Sequence, residues 1–238
     1  MAAVVLLGVA KAGFGGGAGA AATPLLAMTI PITDAVALLL PLLMMCDVFS
    51  VWHYRGTFHR RSVKLLLPGS IIGVAFGTLF FGYFIENQRV LEVGLGAVTL
   101  LFVGFRLASH RWTNTLQSRH PTAAEGVFMG TVSGFASTIA HAGGPPTTIY
   151  LLPLRMARDL FVGTTVIFFA GLNWIKLVAF IFLGLLNPTN LTAVAILAPL
   201  TLLSVRLGII LNRHFTDVWF NRIVYTVLVV TGLRLLYS

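Results

Sequence analysis

Two glycine-rich breaks interrupt apolar segments of this chain, and they read Lys11-Ala-Gly-Phe-Gly-Gly-Gly-Ala-Gly19 and Ser133-Gly-Phe-Ala-Ser-Thr-Ile-Ala-His-Ala-Gly-Gly-Pro-Pro146. Equivalent residues of the two breaks are separated by 121 positions, as in Gly13 and Gly134, Phe14 and Phe135, and Pro24 and Pro145. Lipid tolerates irregular backbone only where protein buries it or where it lines a watery cavity. Matched breaks in two halves of a membrane protein therefore predict a substrate site between repeats.

The composition places the chain in a bilayer. It is 57% hydrophobic and 10% charged, with a mean hydropathy of +0.92, whereas soluble domains carry roughly 25% charged residues. Long apolar runs interrupted by Gly and Pro predict an all-α polytopic protein and exclude a β-barrel, whose strands would alternate. We read segment 2–32 as mature protein rather than a signal peptide, because no basic flank precedes it. The apolar segments are 2–32, 35–53, 63–85, 90–108, 124–154, 160–184, 191–211 and 218–237.

The net charge of +9 comes from short basic loops between these segments. This distribution follows the positive-inside rule for membrane proteins and argues against nucleic-acid binding, since the sequence leaves no extramembrane domain for it. No zinc-protease motif, acidic pair or Ser-His-Asp arrangement occurs, so we expect no enzymatic activity, metal or cofactor.

The repeat continues beyond the breaks with small shifts in offset, as in Pro68 and Pro199, Gly77 and Gly208, and Gly104 and Gly232. We therefore predict two repeats of four elements each. The first transmembrane repeat spans 1–108, a basic cytoplasmic linker spans 109–122, and the second transmembrane repeat spans 123–238.

The orientation of the two halves depends on segments 2–32 and 124–154. If both cross the membrane fully, the halves are parallel. If both are re-entrant helical hairpins broken at Gly and Pro, the second half is inverted, and loops 54–64, 106–121, 153–159 and 212–217 all face the cytoplasm. The Lys and Arg bias of these loops favours the inverted arrangement. Each hairpin arm is also too short to span alone.

The breaks fit an anion site made largely of backbone. A helix beginning at Pro24 or Pro145 would direct its dipole into the membrane interior. Glycines permit close approach of a ligand, and nearby hydroxyls add donors. The alternative is that these glycines serve helix packing. The candidate residues from the two breaks are Gly15, Gly16, Gly17, Thr23, Gly143, Gly144 and Thr147.

Four ionisable side chains lie inside apolar segments, and such groups are functional candidates by default. Lys11 lies in the first break and is the first candidate for contact with an anion, with a structural bond to a carbonyl as the alternative. Arg206 suits bidentate binding but could also snorkel to the interface. Lys176 could equally snorkel outward. The fourth is Asp47.

Asp47 and Asn173 occupy matching places in the two repeats, 126 positions apart. Asp47 is a candidate for an ion pair with a buried cation, or for proton uptake during transport. We favour the ion pair, since an unneutralised acid would repel an anion. Asn173 and His141 join the substrate-binding candidates. His141 at the second break could titrate near neutral pH, although a tip histidine is more often a satisfied hydrogen-bond donor.

At these residues the chain resembles the TauE/SafE family of sulfite and organosulfonate exporters. The resemblance extends over essentially the whole chain, and its second break differs in having Ala136-Ser137-Thr138 opposite Gly15-Gly16-Gly17. The matching residues are Lys11 to Gly19, Thr23-Pro24-Leu25-Leu26, Asp47, Tyr54-Arg55, Pro68-Gly69, Gly73, Gly77, Gly134-Phe135 and Gly143-Gly144-Pro145-Pro146.

The resemblance implies a secondary transporter that exports small sulfur anions such as sulfite or sulfoacetate. We accordingly expect a multi-pass protein of the inner cell membrane, with the lipid bilayer and a small anionic substrate as its partners. Whether two copies form a homodimer stays open on the sequence. Two other functions stay open on the sequence: an anion channel, and a membrane-embedded assembly factor without transport activity.

Overall fold

The computed structural model describes residues 19–117, 121–186, 192–200, 203 and 217–237. Within these ranges there is no strand, so the all-α prediction is confirmed. The helices are α1 (Gly19–Ala27), α2 (Ile32–Tyr54), α3 (Arg60–Phe84), α4 (Gln88–Gln117), α5 (Ala123–Ala140), α6 (Gly144–Leu151), a 3-10 turn at Leu152–Leu154, α7 (Arg158–Phe182), α8 (192–200) and α9 (Asp217–Tyr237). Because α4 continues to Gln117, the first part of the predicted linker 109–122 is helical.

Three described helices, α2, α3 and α7, are long and apolar enough to cross a membrane. At 1.5 Å per residue, the 25 residues of α3 or α7 extend about 37 Å, against a hydrocarbon core of about 30 Å. Large apolar side chains cover their outer faces, including Phe76 and Leu79 on α3 and Trp174 and Phe182 on α7. Such faces suit lipid, and the protein is a membrane protein.

The closest helix contact in the described structure joins α3 to α5, which run in the same direction. A Cβ at Gly73 would overlap the carbonyl oxygen of Thr131, and one at Gly134 would overlap that of Ser70. Small residues at four-residue spacing allow membrane helices to approach this closely. The glycines that face the opposite helix are Gly69, Gly73 and Gly77 on α3 and Gly126, Gly130 and Gly134 on α5.

The second predicted break forms a turn between two helices that lie side by side. Helix α5 begins with a reciprocal capping box between Thr122 and Glu125. Gly143 then lies against Ser133, and Tyr150 lies against Gly126, near the start of α5. The chain therefore leaves this hairpin at the end where it entered. The first break lies largely outside the described residues.

Two pairs of equivalent helices, α2 with α7 and α4 with α9, run antiparallel. The end of α2 meets the start of α7, because a Cβ at Gly163 would lie 3.3 Å from the Tyr54 ring, and the two helices meet again at Asp47 and Asn173. The last helices of the two repeats, α4 and α9, also meet end to start. The Arg89 guanidinium at the start of α4 donates to the carbonyls of Leu235 and Leu236 at the end of α9, at 3.0 and 2.5 Å. Each of these first-half helices thus opposes its counterpart in direction.

The basic loops that precede α3 and α7 lie at one end of the bundle. Gly126 lies between Tyr150 at the end of α6 and Leu65 in the second turn of α3, and His59 reaches Thr164 in the second turn of α7. The exposed cations at this end are Arg55, Arg60, Arg61, Lys64, Arg155 and Arg158.

We expect Gly73→Ala to destabilise the fold strongly, because the added Cβ would overlap the backbone of Thr131. Overpacking against backbone should cost about 3 kcal/mol, which lowers Tm by about 6–12 °C in a chain of this size. Thermal unfolding in detergent would measure the change. Gly104→Ala is the matched control, since nothing lies within 4 Å of its Cβ. Equal Tm values for the two variants would contradict the close helix contact.

Single cysteines placed at Arg60 and at Arg158, in a background where Cys46 is replaced, should both resist an impermeant thiol reagent applied outside intact cells. Both positions are exposed at the same end of the bundle, and their basic loops favour the cytoplasm. Both should react after the membrane is permeabilised. Labelling of the residue 158 cysteine alone in intact cells would restore the parallel arrangement of the two halves.

Candidate functional site

His141 ends α5 and turns the chain. Its backbone has φ of 51° and ψ of 25°, the left-handed region that histidine tolerates better than most side chains. Its amide donates to the carbonyl of Ser137 at 3.0 Å, and the amide of Ala142 donates to the carbonyl of Ala136 at 3.3 Å. The last carbonyls of α5 are thereby satisfied without continuing the helix.

Two buried hydroxyls hold the backbone after this turn. Ser133 Oγ donates to the carbonyl oxygen of Gly143 at 2.7 Å, and Thr147 Oγ1 donates to the same oxygen at 2.9 Å. A Cβ at position 143 would lie 2.7 Å from Ser133 Oγ and 3.1 Å from the ring of Phe169, so only glycine fits. The predicted Thr147 hydroxyl therefore supports the break in this structure.

The start of α6 offers fewer amide donors than a helix N-terminus normally does. Pro145 and Pro146 occupy its first turn, following Gly144, and proline has no N–H. The amides of Gly143 and Gly144 are thus the backbone donors of this tip that an anion could meet. The helix dipole remains, but the rest of the anion recognition has to come from side chains.

Lys176 of α7 supplies a cation at this tip. Its side chain is 0% exposed, so it points inward, and the alternative of snorkelling outward is wrong. Its Nζ donates to the carbonyl and the hydroxyl of Ser137, at 3.0 and 3.1 Å. It also lies 2.7 Å from His141 Nδ1 and 5.9 Å from the centre of the Phe180 ring, within the range of a cation–π contact.

Both ring nitrogens of His141 are engaged, so the tip histidine is a satisfied one. Nε2 lies 3.1 Å from the carbonyl oxygen of Val36. A carbonyl only accepts, so Nε2 carries the hydrogen and Nδ1 is left to accept from Lys176. Pro41 lies inside α2 and has no N–H, so the carbonyl four residues earlier, that of Ala37 beside Val36, loses its intrahelical donor.

Asp47 and Asn173 meet in the bundle interior. Asn173 Nδ2 donates to Asp47 Oδ2 at 2.6 Å, joining α2 to α7. Both side chains are almost fully buried. Asn173 lies one turn before Lys176, so the amide and the ammonium share one face of α7. The two positions that the sequence repeat made equivalent are therefore direct partners.

Thr23 of α1 is fully buried, and its hydroxyl makes no hydrogen bond in the described part of the chain. Among the candidates in and around the first break, Thr23 is the one that the structure describes. Lys11, Gly15, Gly16, Gly17 and Arg206 lie outside the described residues. Among the residues that are described, no cluster of His, Cys, Asp and Glu could hold a metal ion.

The structure brings His141, Gly143 and Thr147 together at the second break, with Asn173 and Asp47 joined beside Lys176. The substrate-binding candidates from the sequence omitted Ser133 and Ser137, and they left open whether Lys176 faces the site or the interface. Two spacings could have revealed them: residues 133, 137 and 141 follow one face of α5, and residues 173, 176 and 180 follow one face of α7.

The sulfite exporter TauE/SafE family matches residues 1–235 of the 238 in this chain. The chain belongs to this family. The resemblance inferred from the glycine-rich breaks is thus confirmed. Membership in the TauE/SafE family implies a membrane exporter of sulfite or a related sulfur anion. The chain matches none of the curated proteins and none of the solved structures compared with it.

Ser133→Ala and Thr147→Val should each cost about 1 kcal/mol, because the other hydroxyl still satisfies the Gly143 carbonyl. The double variant should cost more than the two single costs combined, by about 0.5–3 kcal/mol, since that buried carbonyl then loses both of its hydroxyl partners. Thermal unfolding of the four proteins measures the coupling. Thr165→Val, which removes a hydroxyl bonded within its own helix, is the control. Additive costs would show that the hydroxyls do not act together.

Proposed function

We propose that this protein is a secondary transporter that exports a small sulfur-containing anion, with sulfoacetate or sulfite as the substrate, by alternating access around an anion site at the membrane midplane. Membership in the TauE/SafE family supports the transporter class and the sulfur anion. The observation that carries the site is the fully buried Lys176 at the tip of the α5–α6 hairpin.

A buried ammonium is costly enough to require a reason. Placing a lysine at the centre of a membrane helix costs about 2.5–3.5 kcal/mol on insertion scales. Packing would be served as well by Leu or Met, which carry no such cost. Lys176 instead lies beside a break that already provides the amides of Gly143 and Gly144. Cation and amides together favour a compact anion with several oxygen atoms.

The first half is proposed to complete the site. Lys11 with Gly15, Gly16 and Gly17 would form the opposing tip, and Thr23 would contribute a hydroxyl that has no other partner among the described residues. Arg206 is a further candidate cation. Asp47, held by Asn173, would balance part of this positive charge and limit repulsion between the cations.

Inverted halves would make alternating access possible, since two related halves of opposite orientation can exchange conformations. The antiparallel pairs α2 with α7 and α4 with α9 support inversion. So does the position of the basic loops at one end, which we assign to the cytoplasm. This arrangement corresponds to a multi-pass protein of the inner cell membrane.

In proteoliposomes, the purified protein should carry sulfoacetate with a flux that saturates and that rises when unlabelled sulfoacetate is present on the opposite side. Taurine should compete less well by about 1–3 kcal/mol, roughly fivefold to 150-fold, because its ammonium would face the cations of the site. Competition at fixed pH and salt would measure this difference.

Empty liposomes and liposomes containing heat-denatured protein are the controls. Flux that never saturates and shows no stimulation from the opposite side would identify an anion channel instead. Absence of both flux and binding for sulfoacetate and sulfite would remove the proposed substrates. Taurine competing as well as sulfoacetate would require an acceptor in the site, and Asp47 is the first candidate.

A further inference from the structure

Two nitrogen bases lie in direct contact inside the protein. Lys176 Nζ and His141 Nδ1 are 2.7 Å apart, and the two side chains are 0% and 7% exposed. At that distance a hydrogen atom must lie between the two nitrogens, because two lone pairs would repel each other. Nζ also faces both oxygens of Ser137, so its three acceptors match the three hydrogens of an ammonium, and the pair in this arrangement holds one extra proton.

The surrounding hydrogen bonds limit the pair to one such proton. Val36 fixes the hydrogen of His141 on Nε2. The shared proton is either on Nζ, giving an ammonium beside a neutral imidazole, or on Nδ1, giving a neutral amine beside an imidazolium. A second proton would bring two cations, with N–H groups directed at each other, to hydrogen-bond distance in a poorly solvated interior. The pair thus carries a charge of zero or +1.

We infer that the Lys176–His141 pair is a proton-binding site linked to anion binding, so that the anion binds when the pair holds its proton. This inference rests on the proposed function and extends it by naming the coupling ion. When the pair is protonated, the second tip presents a cation to the substrate. When the proton leaves, that cation disappears, and the buried anion loses its charge partner.

The described elements around the pair present one carboxylate, polar groups and apolar side chains. Helix α2 presents the Val36 carbonyl and, one turn from Lys176 through Asn173, the Asp47 carboxylate. Helix α5 presents Ser137. Helices α3 and α4 contribute apolar side chains to the cluster that also holds Ala140, Ala142 and Phe180, including Phe81, Leu91 and Leu95. Lys11 and Arg206 lie outside the described residues.

The direct test is the dissociation constant for sulfoacetate between pH 6 and pH 9, measured by calorimetry on the purified full-length protein. Sulfoacetate is the probe because its sulfonate and carboxylate both stay ionised over this range, the carboxylate having an ordinary pKa of about 4. Linkage requires binding to weaken as pH rises, by up to about tenfold per pH unit where the pair loses its proton. By reciprocity, sulfoacetate added in weak buffer should take up as much as one proton per anion at the upper end of the range.

His141→Asn is the informative variant, because asparagine tolerates left-handed backbone and keeps a hydrogen-bonding side chain but does not titrate. The pH at which sulfoacetate binding weakens should move by at least about one unit in this variant. Lys176→Met should weaken binding about tenfold or more and abolish proton uptake. His53→Asn removes an exposed histidine at the end of α2 and should leave the profile unchanged.

The outcomes separate the inference from the proposed function. Sulfoacetate binding that is independent of pH and takes up no proton would overturn the proton site and leave the transporter assignment standing. An unshifted profile in a folded His141→Asn protein would assign the linkage to another group and equally overturn the inference. No sulfoacetate binding at any pH would overturn the proposed substrate and the inference together. Proton uptake by the unaltered protein decides the question even if a variant fails to fold.

Discussion

The contact between α3 and α5 is the constraint on which the site depends. Four glycines, Gly69 and Gly73 on α3 and Gly130 and Gly134 on α5, let each helix lie against the backbone of the other, so the two cannot slide or rotate without a clash. That contact fixes α5 and hence the position of His141 at its end. Helix α3 also packs on α7, where Gly171 lies against Leu67. The face of α7 that carries Asn173 and Lys176 is thereby turned toward the hairpin.

The polar groups of the interior satisfy one another because the break exposes backbone to them. A straight helix uses its carbonyls internally and leaves little for a lysine to bind. Here Ser137 at the end of α5 accepts from both the His141 amide and Lys176. The Gly143 carbonyl, which belongs to the turn, takes two hydroxyls. The irregular backbone and the buried charge thus compensate each other, and neither would be stable in lipid alone.

The sequence predicted the membrane fold, the position of the second break and the correspondence of Asp47 with Asn173, because each depends on local composition or on the repeat. It did not predict that the Lys176 side chain points inward. That orientation follows from the rotation of α7 about its axis, which is set by packing against residues distant in sequence. The bonding partners of the Ser and Thr hydroxyls were also ambiguous from the sequence. Ser and Thr in apolar helices usually bond the carbonyl four residues earlier, as Thr131 and Thr138 do. The sequence left two roles open for the glycines, and the structure shows both. Gly134 allows close helix packing, and Gly143 forms the break.

The two halves share an architecture but divide the chemistry unequally. Lys176 corresponds by the repeat to Ser50, which bonds within its own helix, and His141 corresponds to Ala20. In the proposed cycle, each half adopts the conformation that the other half had. A contact between two equivalent residues therefore joins the same two residues before and after the exchange. The Asp47–Asn173 bond is of that kind, so it persists in both states and holds the halves together. The bond from His141 to Val36 has no counterpart in the other half, where Ala20 replaces His141. If this bond is lost in one state, no equivalent hydrogen bond forms to replace it. The two states consequently differ in energy, and the protonated Lys176–His141 pair lies where that difference arises.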